Sequence, residues 1–159
     1  MNNFDQSQNW DKLKVAFLPI KPVYAEQLMN GTKLFEFRRR PMSAAVTHIV
    51  VYASSPYKRI LGIVEVTSIE RGSVRSIWNK TKESAGVSRA EFFEYFDGTD
   101  VAYAIAIDPS KTVRFDRHIS PSDIEENFVV PQSFKYVGFT FMEALLAQNT
   151  WQCDYMRIK

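Results

Sequence analysis

This chain holds one cysteine, Cys153, and two histidines, His48 and His118, in 159 residues. A single thiol closes no internal disulfide, and three such residues at wide spacing make no zinc cluster. No histidine motif accompanies Cys153, so it reads as packing rather than as a nucleophile. The G-x-G-x-x-G, P-loop and G-x-S-x-G sequences are all missing, which sets aside dinucleotide-fold dehydrogenases, P-loop enzymes and α/β-hydrolases. No segment approaches the roughly 18 continuous apolar residues of a membrane helix. The start, MNNFDQSQNWDKLK, lacks the apolar stretch of a signal peptide. The expectation is a cytoplasmic protein with no membrane span, no metal and no cofactor; nothing in the sequence fixes its oligomeric state. There is no internal repeat.

What is present suits one folded core. Hydrophobic residues make up 45% and charged residues 24%, the make-up of an ordinary globular domain rather than of a disordered chain. The length fits one domain over 14–149, with an N-terminal extension at 1–13 and a C-terminal tail at 150–159. A net charge of +2 announces no general attraction to nucleic acid. Its distribution says more. Between residues 33 and 59 stand Lys33, Arg38, Arg39, Arg40, Lys58 and Arg59 against a single acid, Glu36. Such a patch beside the hydroxyls of Ser54, Ser55 and Tyr57 suits a phosphate or a nucleotide, and a solvated strand end equally well.

The pattern predicts a strand over KVAFLPI (14–20), then a helix, VYAEQLMN, started by Pro22 and ended at Gly31. A strand KLFEFRR follows, then the buried-looking run THIVVYAS (47–54), and after the SSPYK turn the strand RILGIVEVTSI (59–69). In that strand Gly62 marks a bulge or a close backbone approach, and Glu65 needs a partner if it points inward. Ser73 can cap a helix, and Ser88 with Glu91 forms a capping box for a second. The apolar face of the second, Phe92, Phe93 and Phe96, reads as core. VAYAIAI (101–107) is a strand, DPSK a turn and TVRFD a short strand; SPSDI starts a helix. VVPQSFKYV is extended, and Thr140 and Glu143 cap a last helix, FMEALLAQN. Strands that follow without helical crossovers favour antiparallel pairing, so the expected class is α+β, a mostly antiparallel sheet able to close into a small barrel with flanking helices.

A helix ending in Gly31-Thr32-Lys33, followed at once by Glu36-Phe37-Arg38, resembles the G-x-K-x-x-E-x-R signature of the ASCH domain family, part of the PUA-like superfamily of small β-barrels. The similarity extends to PIKPVYAEQLMNG, VVYASSP, LGIVEV and FFEYFDGTDVAYAIAI, over about residues 14–115. The resemblance implies a PUA-like pseudo-barrel with a cleft suited to RNA or to a modified nucleoside. One branch of the family consists of metal-independent amidohydrolases acting on N4-acetylcytidine through a lysine, a threonine and a glutamate, and other members are reported to cut RNA. The branch's lysine matches Lys33 and its strand arginine matches Arg38. Glu36 stands where the threonine would be, and Glu83 is the nearest match to the glutamate.

Two classes of function follow. As a binding module, the chain takes RNA or a nucleotide on Arg38, Arg39, Arg40, Ser54, Ser55, Tyr57 and Lys58, with aromatic rings stacking on an unpaired base. As a hydrolase of a nucleoside or RNA, it uses Lys33 with a pKa lowered by burial beside Arg38 or Arg39, and Glu36, Glu65 or Glu83 to move a proton or orient water. Glu36 with Arg38, or Glu65 with Arg38, also forms a plain ion pair between strands in an equally good reading of the same residues.

Overall fold

The computed structural model describes residues 12–148. The predicted tail at 150–159, and all but Lys12 and Leu13 of the predicted extension, lie outside the described residues. β1 (Lys14–Ile20) covers the predicted segment and is buried almost throughout. α1 (Pro22–Met29) carries Pro22 in its first turn, where a missing N–H costs nothing. The chain leaves α1 through Asn30 and Gly31, whose φ of +79 is a conformation that glycine reaches without strain.

β2 (Phe35–Arg38) is shorter than the sequence suggests: the Leu34 carbonyl still accepts from Ile107 N, but the Leu34 N–H donates away from the sheet to Ser84 O. β3 (Val46–Ala53) and β4 (Arg59–Ser73) follow, then α2 (Val74–Thr81), a 3-10 turn (Lys82–Ser84) and α3 (Arg89–Tyr95). Both helix caps form as predicted. Ser73 Oγ accepts from Ser76 N at 3.1 Å, and Ser88 and Glu91 exchange bonds of 2.9 and 3.1 Å.

β5 (Val101–Ile119) is one strand of 19 residues where a strand, a turn and a short strand are expected. The expected turn is present as a bulge. Glu65 pairs with Asp108 and Ile63 with Val113, so residues 109–112 oppose Val64 alone, and Asp108 Oδ1 accepts from Ser110 N and Oγ. A second bulge puts residues 115–118 opposite Leu61, since Ile60 pairs with Ile119 and Gly62 with Arg114. At Gly62 a Cβ would lie 2.1 Å from Val113 O, which is the close approach the lone glycine signalled. The rest is α4 (Pro121–Ile124), β6 (Lys135–Val137) and α5 (Phe139–Ala147). α5 starts earlier than expected, capped at Gly138 without Thr140, because Phe141, Met142 and Leu145 are drawn into the core beside Phe17.

The strands form one mixed sheet in the order β2-β5-β4-β3-β1-β6, antiparallel except where β1 runs parallel to β3. The class is α+β and the pairing mostly antiparallel, as expected. The sheet does not close into the expected barrel. β2 and β6 end it with four and three residues, too little backbone for a ladder across the gap. A side chain spans it instead: Arg38 of β2 donates from Nη2 to Pro19 O at 3.1 Å and from Nη1 to Ser133 O at 3.2 Å.

Burial follows strand alternation. Ala16, Leu18, Ile49, Val51 and Val64 meet α1 on one face of the sheet; Val15, Phe17, Val50 and Ile63 meet α5 on the other. A third cluster joins α2 and α3 to β2 and the start of β5 through Ile77, Phe92, Phe96 and Phe37, so the predicted aromatic face is core.

Candidate functional site

The open seam is lined rather than filled. A cleft of about 550 Å³ lies where β1 ends, bounded by Pro19, Ile20 and Lys21, by Tyr24 of α1, by Lys33 and the β2 residues Glu36, Phe37 and Arg38, and by α3. From α3 and the turn before it come Val87, Glu91, Phe92, Glu94 and Tyr95.

Lys33 is the most buried charge, 1% exposed. It precedes β2, so strand alternation does not send it away from Glu36 as a longer strand would. Its ammonium donates to Ala85 O at 2.6 Å and lies 5.3 Å from the Tyr24 ring centroid and 4.8 Å from that of Phe37. The chain makes room through Gly86, with φ +69, where a Cβ would fall 2.6 Å from Lys33 Cγ. Burial pulls the Lys33 pKa below its ordinary value, and the carboxylates of Glu36 and Glu91 work against that shift. Loss of water is thus the larger effect, the burial that the sequence suggests, with the neighbouring charges that act on the amine being carboxylates rather than Arg38 or Arg39.

Glu36 and Arg38 form an ion pair at 3.1 Å, with side chains 10% and 11% exposed. Arg38 Nε is buried with no hydrogen-bond partner. The pair joins two roles: Arg38 closes the seam, and Glu36 supplies the charge that lets it stay there.

Opposite, Glu91 accepts from Ser88 N through its capping box, and the Tyr24 hydroxyl lies near enough to favour the same carboxylate's charged form. Its backbone and side-chain bonds with Ser88 hold the Glu91 pKa below the carboxylate range. Burial, then Glu91, push the Tyr24 hydroxyl up, and burial does the same for Tyr95, whose hydroxyl donates to Phe37 O at 3.3 Å. The cleft therefore presents a buried amine, an ionised carboxylate and two neutral phenols.

The other sequence candidates lie elsewhere. Arg39 and Arg40 are exposed beyond β2, and Arg39 donates to Asp97 O. Ser54, Ser55, Tyr57 and Lys58 form the β3–β4 turn outside the lining, and Ser54 N donates to Ile20 O of the cleft wall. Glu83 is exposed on the 3-10 turn. Glu65 pairs with Lys111 at 3.3 Å and with the buried His48 at 3.8 Å across β3 and β4. His48 thus has a partner where the sequence shows none, and burial lowers its pKa. The cleft is mixed in charge, not basic: Lys21, Lys33 and Arg38 meet Glu36, Glu91 and Glu94.

Lys21, Tyr24, Glu91, Glu94 and Tyr95 line the cleft without having been singled out as site residues. Glu91 is visible in the sequence as a cap, a role that hides its second one. Nothing local marks Tyr24, since its partner lies across the cleft.

Among known proteins, an ASCH domain-containing ribonuclease from Zymomonas mobilis is 30% identical over 125 residues, covering 78% of this chain and 84% of that protein. A crystal structure of ASCH from Zymomonas mobilis matches at TM-score 0.74 and 28% identity, over 84% of this chain and 94% of that one. A large ribosomal subunit protein uL22 from Ureaplasma parvum is 28% identical over 92 residues, which are 58% of this chain and 29% of that protein. The ASCH domain model matches residues 18–134, and the chain belongs to the ASCH domain family.

Proposed function

We propose that this chain handles RNA, taking an unpaired nucleotide into the cleft between α1, β2 and α3. The observation that carries this reading is the buried Lys33 amine, held by one carbonyl and two aromatic rings at the floor of a cleft open to a ligand. The volume, about 550 Å³, falls within the roughly 300–1,000 Å³ of small-ligand sites. Tyr24 and Tyr95 offer aromatic faces for a base, the usual means of reading single-stranded RNA. Lys21 at the rim offers a cation to a phosphate. The ribonuclease name of the Zymomonas mobilis relative supports RNA as the class of partner.

Hydrolysis is the second reading, and the lowered Lys33 pKa favours it. An amine that gives up its proton more readily than an ordinary lysine can accept one from a ribose hydroxyl or a water. Glu91, held ionised, is the second proton-handling group in the cleft. Cleavage of an RNA phosphodiester fits better than attack on an amide by Glu36, whose carboxylate is engaged by Arg38.

The test is to incubate the protein and Lys33→Ala with a short single-stranded RNA and with N4-acetylcytidine, following both by mass and measuring RNA retention. Salt-dependent retention without new products supports binding alone. RNA fragments that vanish in the variant support hydrolysis, deacetylation would move the reading to the amidohydrolase branch, and neither retention nor product would overturn it.

A further inference from the structure

The basic stretch of the sequence divides in space. Lys33 and Arg38 go to the cleft, while Arg59 goes to a second hollow at the start of β4. There a second pocket of about 220 Å³ is lined by Arg59, Leu61, Arg114, Asp116, Arg117 and His118, among others. It occupies the second bulge of β5, where residues 115–118 oppose Leu61 alone. Bulges re-aim side chains, and this one brings Arg114 and Arg117 to the same hollow as Arg59.

The guanidiniums there are only partly engaged. Arg59 Nε is buried with no hydrogen-bond partner, and the Arg59 guanidinium lies 5.3 Å from the Tyr57 ring centroid. Arg117 has a single long bond, Nη1 to Gln148 Oε1 at 3.5 Å. Arg114 is clamped by both oxygens of Glu26, at 2.9 and 2.8 Å. Asp116 lines the pocket and is itself engaged, and Glu26 is taken up by Arg114, which, among the described residues, leaves Arg59 and Arg117 as the arginines there without a carboxylate partner. Tyr57, 45% exposed, stands beside it. Arginine beside an exposed ring is the pairing that takes a phosphate and its neighbouring base together.

The position relative to the cleft matters as much as the charge. Tyr24 faces the cleft and Glu26 faces Arg114; two residues apart on a helix, they point about 200° away from each other. α1 thus separates the two hollows by its own width, about 10 Å, which a few nucleotides of extended strand cross. Ser54, bonded to Ile20 of the cleft wall, starts the turn that leads to Tyr57 and Arg59.

We propose that the Arg59–Arg117 pocket is a second phosphate subsite, holding the backbone of the same RNA strand whose unpaired nucleotide enters the cleft. It rests on the RNA reading of the cleft. RNA suits it better than an acidic protein segment, because a small hollow with the forked donors of Arg59 and Arg117 matches the compact oxygen set of a phosphate.

The test uses fluorescence anisotropy with a dinucleotide and with an RNA of about ten nucleotides, over a salt series. The proteins are wild type, Arg117→Gln, Arg59→Gln/Arg117→Gln and the cleft variant Tyr24→Leu, with folding checked by circular dichroism. The expected result is a three- to tenfold loss of affinity for the longer RNA in the arginine variants. The salt slope should fall by about 0.7 for each phosphate that is no longer neutralised, and dinucleotide binding should not change. Arg117 is exposed, so its single variant keeps the test valid if Arg59 is needed for folding. If the longer RNA binds the arginine variants as it binds wild type while Tyr24→Leu weakens both ligands, the subsite is overturned and the cleft reading stands. If only the arginine variants weaken binding, the pocket holds RNA without the cleft, and the cleft reading falls together with the shared-strand subsite; no binding of either RNA overturns both. A polyglutamate peptide displacing the RNA from the pocket at equal charge concentration would also overturn the phosphate assignment.

Discussion

The cleft floor and the pocket beyond α1 draw on the same basic stretch and treat its charges in opposite ways. At the floor, Lys33 is 1% exposed and Arg38 is largely covered, and each charge has fixed partners: Ala85 O for the amine, and Glu36, Pro19 O and Ser133 O for the guanidinium. Beyond α1, Arg114 is 46% exposed and meets its partner in water, and Lys58 and Arg117 are exposed as well. A buried charge whose partner is removed has nothing to replace it, whereas an exposed one turns to solvent. Leaving a floor charge without its partner should therefore disturb the fold and the site together, and substitutions at the exposed Arg117 and Lys58 should disturb binding alone.

The largest effect is expected at Arg38. Arg38→Ala removes the bonds across the open seam and leaves Glu36 buried without its cation. Loss of one partner of a buried pair costs about 3–5 kcal/mol, and the small exposure of both side chains puts this pair close to that case. Arg38→Lys should not restore stability, because one ammonium cannot reach two carbonyls and a carboxylate as a planar fork does. Chemical denaturation of the three proteins measures this; a loss under about 1 kcal/mol would mean that the seam is held by packing.

Gly86→Ala comes next. Its Cβ would meet Lys33 Cγ and Cβ at 2.6 and 2.7 Å, at a φ that side chains rarely adopt. Strain of this kind costs about 1–3 kcal/mol, and because it falls on the Lys33 stem it should weaken RNA binding or turnover as well. Equal activity in a destabilised Gly86→Ala would show that Lys33's position is not needed by the site.

Elements set by local pattern were legible in the sequence, and those set by distant partners were not. β1, the caps at Ser73 and Ser88, and the close approach at Gly62 are each dictated by neighbours in the chain or by one missing side chain. β5 was not legible as one strand, because Asp108 and Ser110 make turn-like bonds inside a bulge whose continuation depends on pairing with β4. At the site, the Lys33, Glu36 and Arg38 triplet stood out through its resemblance to the G-x-K-x-x-E-x-R signature. Tyr24 and Glu91 did not, since they meet across the cleft. The patch of Ser54, Ser55, Tyr57 and Lys58 looked continuous with that triplet because chain distance does not show that the β3–β4 turn lies outside the cleft lining.

The smallest effect on stability, and the sharpest contrast between fold and function, is expected from Lys33→Met. Methionine keeps most of the buried stem and removes the ammonium. The Lys33 pKa is lowered by burial from its ordinary 10.5, so below that value the unfolded chain holds this proton more tightly than the folded one. Stability then rises with pH between the folded value and 10.5, and the unfavourable contribution is fully present at lower pH, where both states are protonated. Removing the amine should abolish that rise and leave stability at neutral pH equal to wild type or about 1 kcal/mol higher, set against loss of the Ala85 bond. RNA binding or cleavage should fall sharply in the same protein. Denaturation midpoints of wild type and Lys33→Met, measured from neutral pH to about pH 10, would show wild type gaining on the variant as pH rises. Parallel curves would mean that Ala85 O and the two rings offset the lost hydration, and that the amine is a structural cation rather than a group kept for chemistry.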